Sequence, residues 1–206
     1  MCDGKRVTDI PSSHSCACSG DPAREVGRTV DTATELVLPA VQFPSRRVLE
    51  IAGEEKLRQV VRRHHALLQA SPIADLFPKN PWVFAKLAEK VADFVVEACG
   101  GAATYSAQHG NTCMRTRHFP FTIDESARET WLAALFRAME DMDFPIDVRE
   151  EYWNWLESFS VRMINRRIMK AQPARIPLIV ALLRFGGRSG EGLECGVRMR
   201  FCPHHG

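Results

Sequence analysis

A chain of 206 residues that is 45% hydrophobic, 25% charged and 8% aromatic has an ordinary globular composition, with enough apolar material for one buried core. Its 27 lysines and arginines nearly balance 25 aspartates and glutamates, and a formal charge of +2 makes no electrostatic case for a nucleic-acid partner. No window approaches the roughly 20 apolar residues of a membrane span, and the start MCDGKRVTDI lacks an apolar signal core, so the expectation is a soluble cytoplasmic protein without a membrane partner.

Residues 1–46 hold Pro11, Gly20, Pro22, Pro39 and Pro44 and no sustained period, which predicts a loosely packed N-terminal extension. From Arg47 the pattern changes. Leu57, Val60, Val61, His64 and Leu68 recur at the spacing of one helical face, and Ser71-Pro72 ends that helix. His64 falls near the middle of the apolar stripe and His65 at its edge. A second helix is predicted from Pro81 to Cys99, with Phe84, Leu87, Val91, Val95 and Ala98 inward and Gly100-Gly101 as its stop.

The stretch from Ala102 to Phe121 has no helical period, yet it carries Tyr105, His109, Arg115, Arg117, His118 and Pro120. A loop this dense in ligand-capable side chains raises a functional question. A third helix is predicted after a Thr122-x-x-Glu125 capping box, running through Trp131, Leu135 and Met139. A fourth spans about Asp147 to Met169, limited by Pro173 and Pro177. A short apolar run follows between Ile176 and Phe185, and the glycines beyond it disfavour helix. With no alternating pattern and no repeat, the fold class is all-α.

The 7 cysteines are odd in number and include no Cys-x-x-Cys pair, so free thiols are expected, and zinc ribbons, thioredoxin-like redox sites and covalent haem attachment find no support. His14, Cys16, Cys18, Cys195, Cys202, His204 and His205 have poor metal-ligand spacing, and unpaired tail thiols are the simpler reading. Between residues 162 and 206, Arg162, Arg166, Arg167, Lys170, Arg175, Arg184, Arg188, Arg198 and Arg200 meet only Glu191 and Glu194, a basic bias that could serve an acidic partner or an anionic membrane surface and is read first as a solvated extension.

A histidine in a defined loop facing apolar helices can bind haem iron, although a lone histidine is weak evidence. The segment around it is specific. Residues 104–123 read TYSAQHGNTCMRTRHFPFTI and are followed by Trp131. Thr104, Tyr105, Ser106, Gly110, Arg115, Arg117, His118, Pro120, Phe121, Ile123 and Trp131 stand at fixed spacing without a gap, and the segment closely resembles the group II truncated haemoglobins. The resemblance runs from about 47 to 170, leaving both extensions outside.

It implies a truncated, two-over-two helical sandwich holding b-type haem noncovalently between the second helix and the loop of His118. His118 would be the proximal iron ligand and Trp131 the distal indole N–H donor. Arg115 and Arg117 would pair with the haem propionates, and Tyr105 would belong to the haem-contacting set. His64 falls where members usually carry a ligand-binding tyrosine, and Phe77 where many carry a second one. Leu87 and Val91 would line the pocket with hydrocarbon. A distal histidine could donate to bound dioxygen, act as acid or base toward peroxide, or bind iron itself. The implied activity is reversible binding of dioxygen or another diatomic ligand. The alternatives are a redox enzyme of nitric oxide dioxygenase or peroxidase type, served by a reductase partner, and a haem-free interaction module.

Overall fold

The computed structural model describes residues 36–110 and 113–186, and every described regular element is helical. The helices are α1 (Arg46–Ala52), α2 (Glu54–Gln69), α3 (Pro81–Ala98), α4 (Thr104–His109), α5 (Met114–His118), α6 (Glu125–Asp141), α7 (Ile146–Met163) and α8 (Leu178–Phe185), with a 3-10 turn over Ala74–Leu76. The tail histidines and cysteines, and the basic residues beyond 186, lie outside the described residues.

Local chemistry explains the boundaries, including those that periodicity misplaces. The first amphipathic stretch is two helices, because Gly53 sits at φ 78, ψ 152, where a side chain would be strained. At the start of α3 the Asn80 carboxamide accepts from the Trp82 and Val83 amides at 3.0 and 3.2 Å, and Pro81 occupies the first helical position. The cap of α6 is Asp124, not Thr122: its carboxylate accepts from the Ala127 amide at 2.8 Å. Glu125 is thereby released to accept from Arg167 and from the Ile168 amide at 3.0 Å.

Helix α7 ends at Met163, short of the expected Met169, because the chain turns there to clasp another segment. The Asn165 and Arg166 amides donate to the Ile123 carbonyl at 3.0 and 3.1 Å. The Asn165 carboxamide donates to the His118 and Phe121 carbonyls at 3.0 and 2.7 Å and accepts from the Ile123 amide. One side chain therefore holds the end of α7 to the loop after α5.

Helix α2 packs on both α3 and α6, α6 also packs on α7 and α8, and α1 packs on α7. Arg58 and Arg62 on α2 reach Asp93 and Glu89 on α3 at 2.9 and 2.6 Å, tying that pair together at the surface. The core joins Val60, Phe94, Leu135, Met139, Tyr152, Trp153 and Trp155. Beside it the buried Arg128 and Glu157 pair at 2.5 Å, and Glu157 also holds Arg175 and the Ile176 amide. Trp153 donates its indole N–H to the Ile176 carbonyl at 2.7 Å. These bonds seat residues 174–176 on α6 and α7 and deliver the chain to α8.

Candidate functional site

A cleft of about 780 Å³ opens between α2, α3, α5, α6 and α7. That volume lies within the roughly 300–1,000 Å³ typical of small-molecule and cofactor sites. Its wall is mainly hydrocarbon and aromatic, including Val60, Leu76, Phe77, Leu87, Val91, Phe94, Leu135 and Phe159. Leu87 and Val91 lie on the predicted inward stripe of α3 yet are only half-buried, because the space they face is the cleft.

Eight of the sequence-derived candidates converge here: His64, Phe77, Leu87, Val91, Tyr105, Arg117, His118 and Trp131 all line the cleft. Arg115 lies outside the lining. It donates to the Arg162 carbonyl, reaches the Ile164 carbonyl at 3.5 Å and lies 5.7 Å from the Phe119 ring centroid, so it braces α5 against the end of α7. Sequence reasoning missed His65, which is buried and also lines the cleft. A stripe drawn for one neighbouring helix is too narrow for α2, which is covered by both α3 and α6.

His118 closes α5 and is half-buried. Its Nδ1 lies 2.7 Å from the carbonyl oxygen of Met114, one turn earlier. A carbonyl only accepts, so Nδ1 carries the hydrogen, and the ring nitrogen left to bear a lone pair for a metal is Nε2. This is how metal-binding histidines are commonly set, with the second ring nitrogen tied to a main-chain or carboxylate acceptor. The same local bond fixes the ring's orientation, and the Asn165 clamp fixes the loop that follows.

Across the cleft, His64 Nε2 lies 3.1 Å from the Trp131 carbonyl oxygen, and the two rings meet edge to face at 4.6 Å. By the same reasoning Nε2 donates and Nδ1 holds the lone pair. His65 donates Nδ1–H to the Val61 carbonyl at 2.8 Å, leaving Nε2 bare, and its ring packs edge to face on Phe77 and Phe84. Burial pushes His64 down to about 3, reinforced by the adjacent His65 and opposed by the Trp131 carbonyl. Burial also lowers His65, against the pull of the Val61 carbonyl. Both imidazoles are neutral at pH 7. No acceptor among the described residues takes the Trp131 indole N–H, and no donor meets His64 Nδ1 or His65 Nε2, so three residues lining the cleft keep an N–H donor and two imine nitrogens unspent.

Cations stand at the margin. Arg117 is exposed and Lys90 half-exposed, and both belong to the lining. Arg117 donates to the His109 carbonyl at 2.6 Å and sits 5.9 Å from the Tyr105 ring. Tyr105 is buried, donates its hydroxyl to Met114 Sδ at 3.8 Å, and has its phenol pushed up chiefly by burial. It therefore joins α4 to α5 beside His118. The described residues contain no group of three or more histidines, cysteines or carboxylates able to hold a bare metal ion. An iron at His118 would need further ligands from a macrocycle.

Residues 49–165 match the model of the bacterial-like globin family. Over 117 residues the chain is 30% identical to the group 2 truncated hemoglobin YjbI of Bacillus subtilis (strain 168), covering 57% of this chain and 87% of that protein. Among solved structures, the phosphate-bound crystal structure of Hell's gate globin IV superposes with a TM-score of 0.72 at 46% identity, covering 77% of this chain and 99% of that one. The group II truncated hemoglobin from Bacillus anthracis superposes with a TM-score of 0.55 at 26% identity, covering 58% of this chain and 97% of that one.

Proposed function

The chain belongs to the bacterial-like globin family, and on that premise we propose that it holds b-type haem in the cleft, ligated by His118, and reversibly binds dioxygen or another diatomic ligand. The carrying observation is the His118 imidazole, whose Nδ1–H is committed to the Met114 carbonyl so that Nε2 is left as a nitrogen ligand in an apolar cleft. The residues present fit the group. Phe77, Leu87, Val91 and Phe94 offer hydrocarbon and ring faces to a porphyrin, and Arg117 and Lys90 offer cations to its carboxylates. Haem supplies an iron atom at which a small ligand binds and leaves.

The chain's own contribution is orientation, dryness and one hydrogen bond. His118 is held by its bond to Met114, and the apolar wall keeps bulk water from the ligand site. On the distal side Trp131 is the donor toward a ligand that develops negative charge on its outer atom. His64, left open by sequence among donor, acid–base and iron-ligating roles, has spent its only N–H on the Trp131 carbonyl. It acts as an acceptor. Two neutral imidazoles lining the same cleft keep, as the second reading, a redox enzyme of nitric oxide dioxygenase or peroxidase type served by a reductase partner. A haem-free interaction module would have no use for the His118 arrangement.

Stopped-flow dioxygen dissociation from the ferrous protein tests the assignment. A hydrogen bond to a charged acceptor is worth about 1.5–3 kcal/mol, so Trp131→Phe should raise the dissociation rate about ten-fold or more, while His64→Leu changes it by less than about three-fold. The reverse ranking would make His64 the donor.

A further inference from the structure

The segment from Arg166 to Arg184 combines exposed aliphatic side chains with cations and contains no aspartate or glutamate. Helix α8 is apolar on all sides but buries only Leu178 and Ala181. Ile179, Val180, Leu182 and Leu183 stay exposed, Leu183 at 83% of its surface and Ile179 at 64%. A helix apolar all round is ordinarily covered on every side, and a contiguous exposed patch marks a contact surface. Ile168 and Met169, earlier in the segment, are also more than half exposed.

The two parts are held on the same helix. Arg167 pairs with Glu125 and Arg184 with Glu129, and these acids lie one turn apart on α6. No acid among the described residues pairs with Arg166 or Lys170, both exposed. Exposed Arg175 shares the single carboxylate of buried Glu157 with buried Arg128, so the trio keeps a net positive charge with Arg175 at the surface. A segment that combines exposed apolar side chains with uncompensated cations is complementary to hydrocarbon beneath negatively charged headgroups.

We propose that this face docks the protein on an anionic lipid surface, with α8 lying in the interfacial plane. No described helix is long and apolar enough to cross a membrane, and docking of this kind requires no crossing. The sequence-based expectation against a membrane partner rests on the missing span and on reading the basic end as solvated, and the exposed apolar face of α8 weighs against the second of these. A second copy is the poorer occupant, because a two-fold contact would set the same cations against each other with no acid in the segment to pair them.

The test is co-sedimentation of the full chain with vesicles of equal parts phosphatidylglycerol and phosphatidylcholine, against phosphatidylcholine alone. The expected bound-to-free ratio is at least ten-fold higher with the anionic lipid, and it falls between 0.1 and 1 M salt as the screening length shrinks from about 10 to about 3 Å. The double variant Ile179→Asp, Leu183→Asp should lose at least ten-fold in that ratio with unchanged helical circular dichroism, since both residues are exposed. Ile146→Asp, at an equally open position opening α7, should bind as the native chain does. Equal binding to both vesicle types, or undiminished binding of the double variant, overturns the proposal. So does light scattering that reveals a dimer dissolved by the same two substitutions, which would make the face a contact between copies.

Discussion

Three imidazoles line one cleft, and each gives its single N–H to a main-chain carbonyl: His118 to Met114, His64 to Trp131 and His65 to Val61. The lone pairs left over are what the residues offer. The two on the distal side are also a pH liability. An unfolded histidine takes a proton as pH falls through 6.5, whereas burial holds folded His64 neutral until about 3. Above 6.5 neither state binds the proton and nothing is lost. Below it the unfolded state gains protons that the folded state refuses, and stability falls toward about 3. From the linkage slope of about 1.4 kcal/mol per pH unit, His64 removes about 1.5 kcal/mol between pH 6.5 and 5, and the lowered His65 acts in the same direction. Urea unfolding of the haem-free protein at both pH values should show His64→Leu losing that much less stability on acidification than the native chain. An identical loss in both would mean that His64 is solvated and protonated. His64 was visible in the sequence as the centre of an apolar stripe. His65 was not, because its burial comes from a second helix packing on α2 from the other side.

Among the elements, α3 and the interiors of α6 and α7 were legible because a 3.6-residue period bounded by proline, glycine and capping residues is a local signal. The short helices α4 and α5 were not. Helices of their length are not stable by propensity, and they exist here through bonds to other parts of the chain: Glu97 accepting from the Ser106 amide at 2.9 Å, and Arg115 bridging to the end of α7. The same holds for the early end of α7, set by Asn165 and Ile123. Because the Asn165 carboxamide binds both carbonyls of the loop after His118, Asn165→Ala should lower stability by about 1–2 kcal/mol in urea and speed haem loss to an acceptor apoglobin. Unchanged haem loss alongside reduced stability would confine Asn165 to a structural role. Helix α8 was read only as an apolar run, since its seating depends on the buried Glu157 cluster and on Trp153.

At the scale of the whole molecule, the family was legible from one ungapped segment, Thr104 to Ile123 followed by Trp131, and the cleft brings together eight of the nine residues singled out for haem contact. Arg115 is the one outside it, drawn away by the α7 carbonyls. The resemblance identified residue types at fixed spacing, whereas the hydrogen-bond partners that decide which nitrogen is bare depend on packing between helices far apart in sequence. The central claim is that His118 Nε2 holds haem iron. Haemin titration of the purified chain, followed at the Soret band, tests it most directly. The account predicts one-to-one uptake with a sharp Soret band in the native chain, loss of that band in His118→Gly, and its recovery on adding imidazole to the variant. An identical band in His118→Gly without imidazole, or no uptake by the native chain, would contradict it.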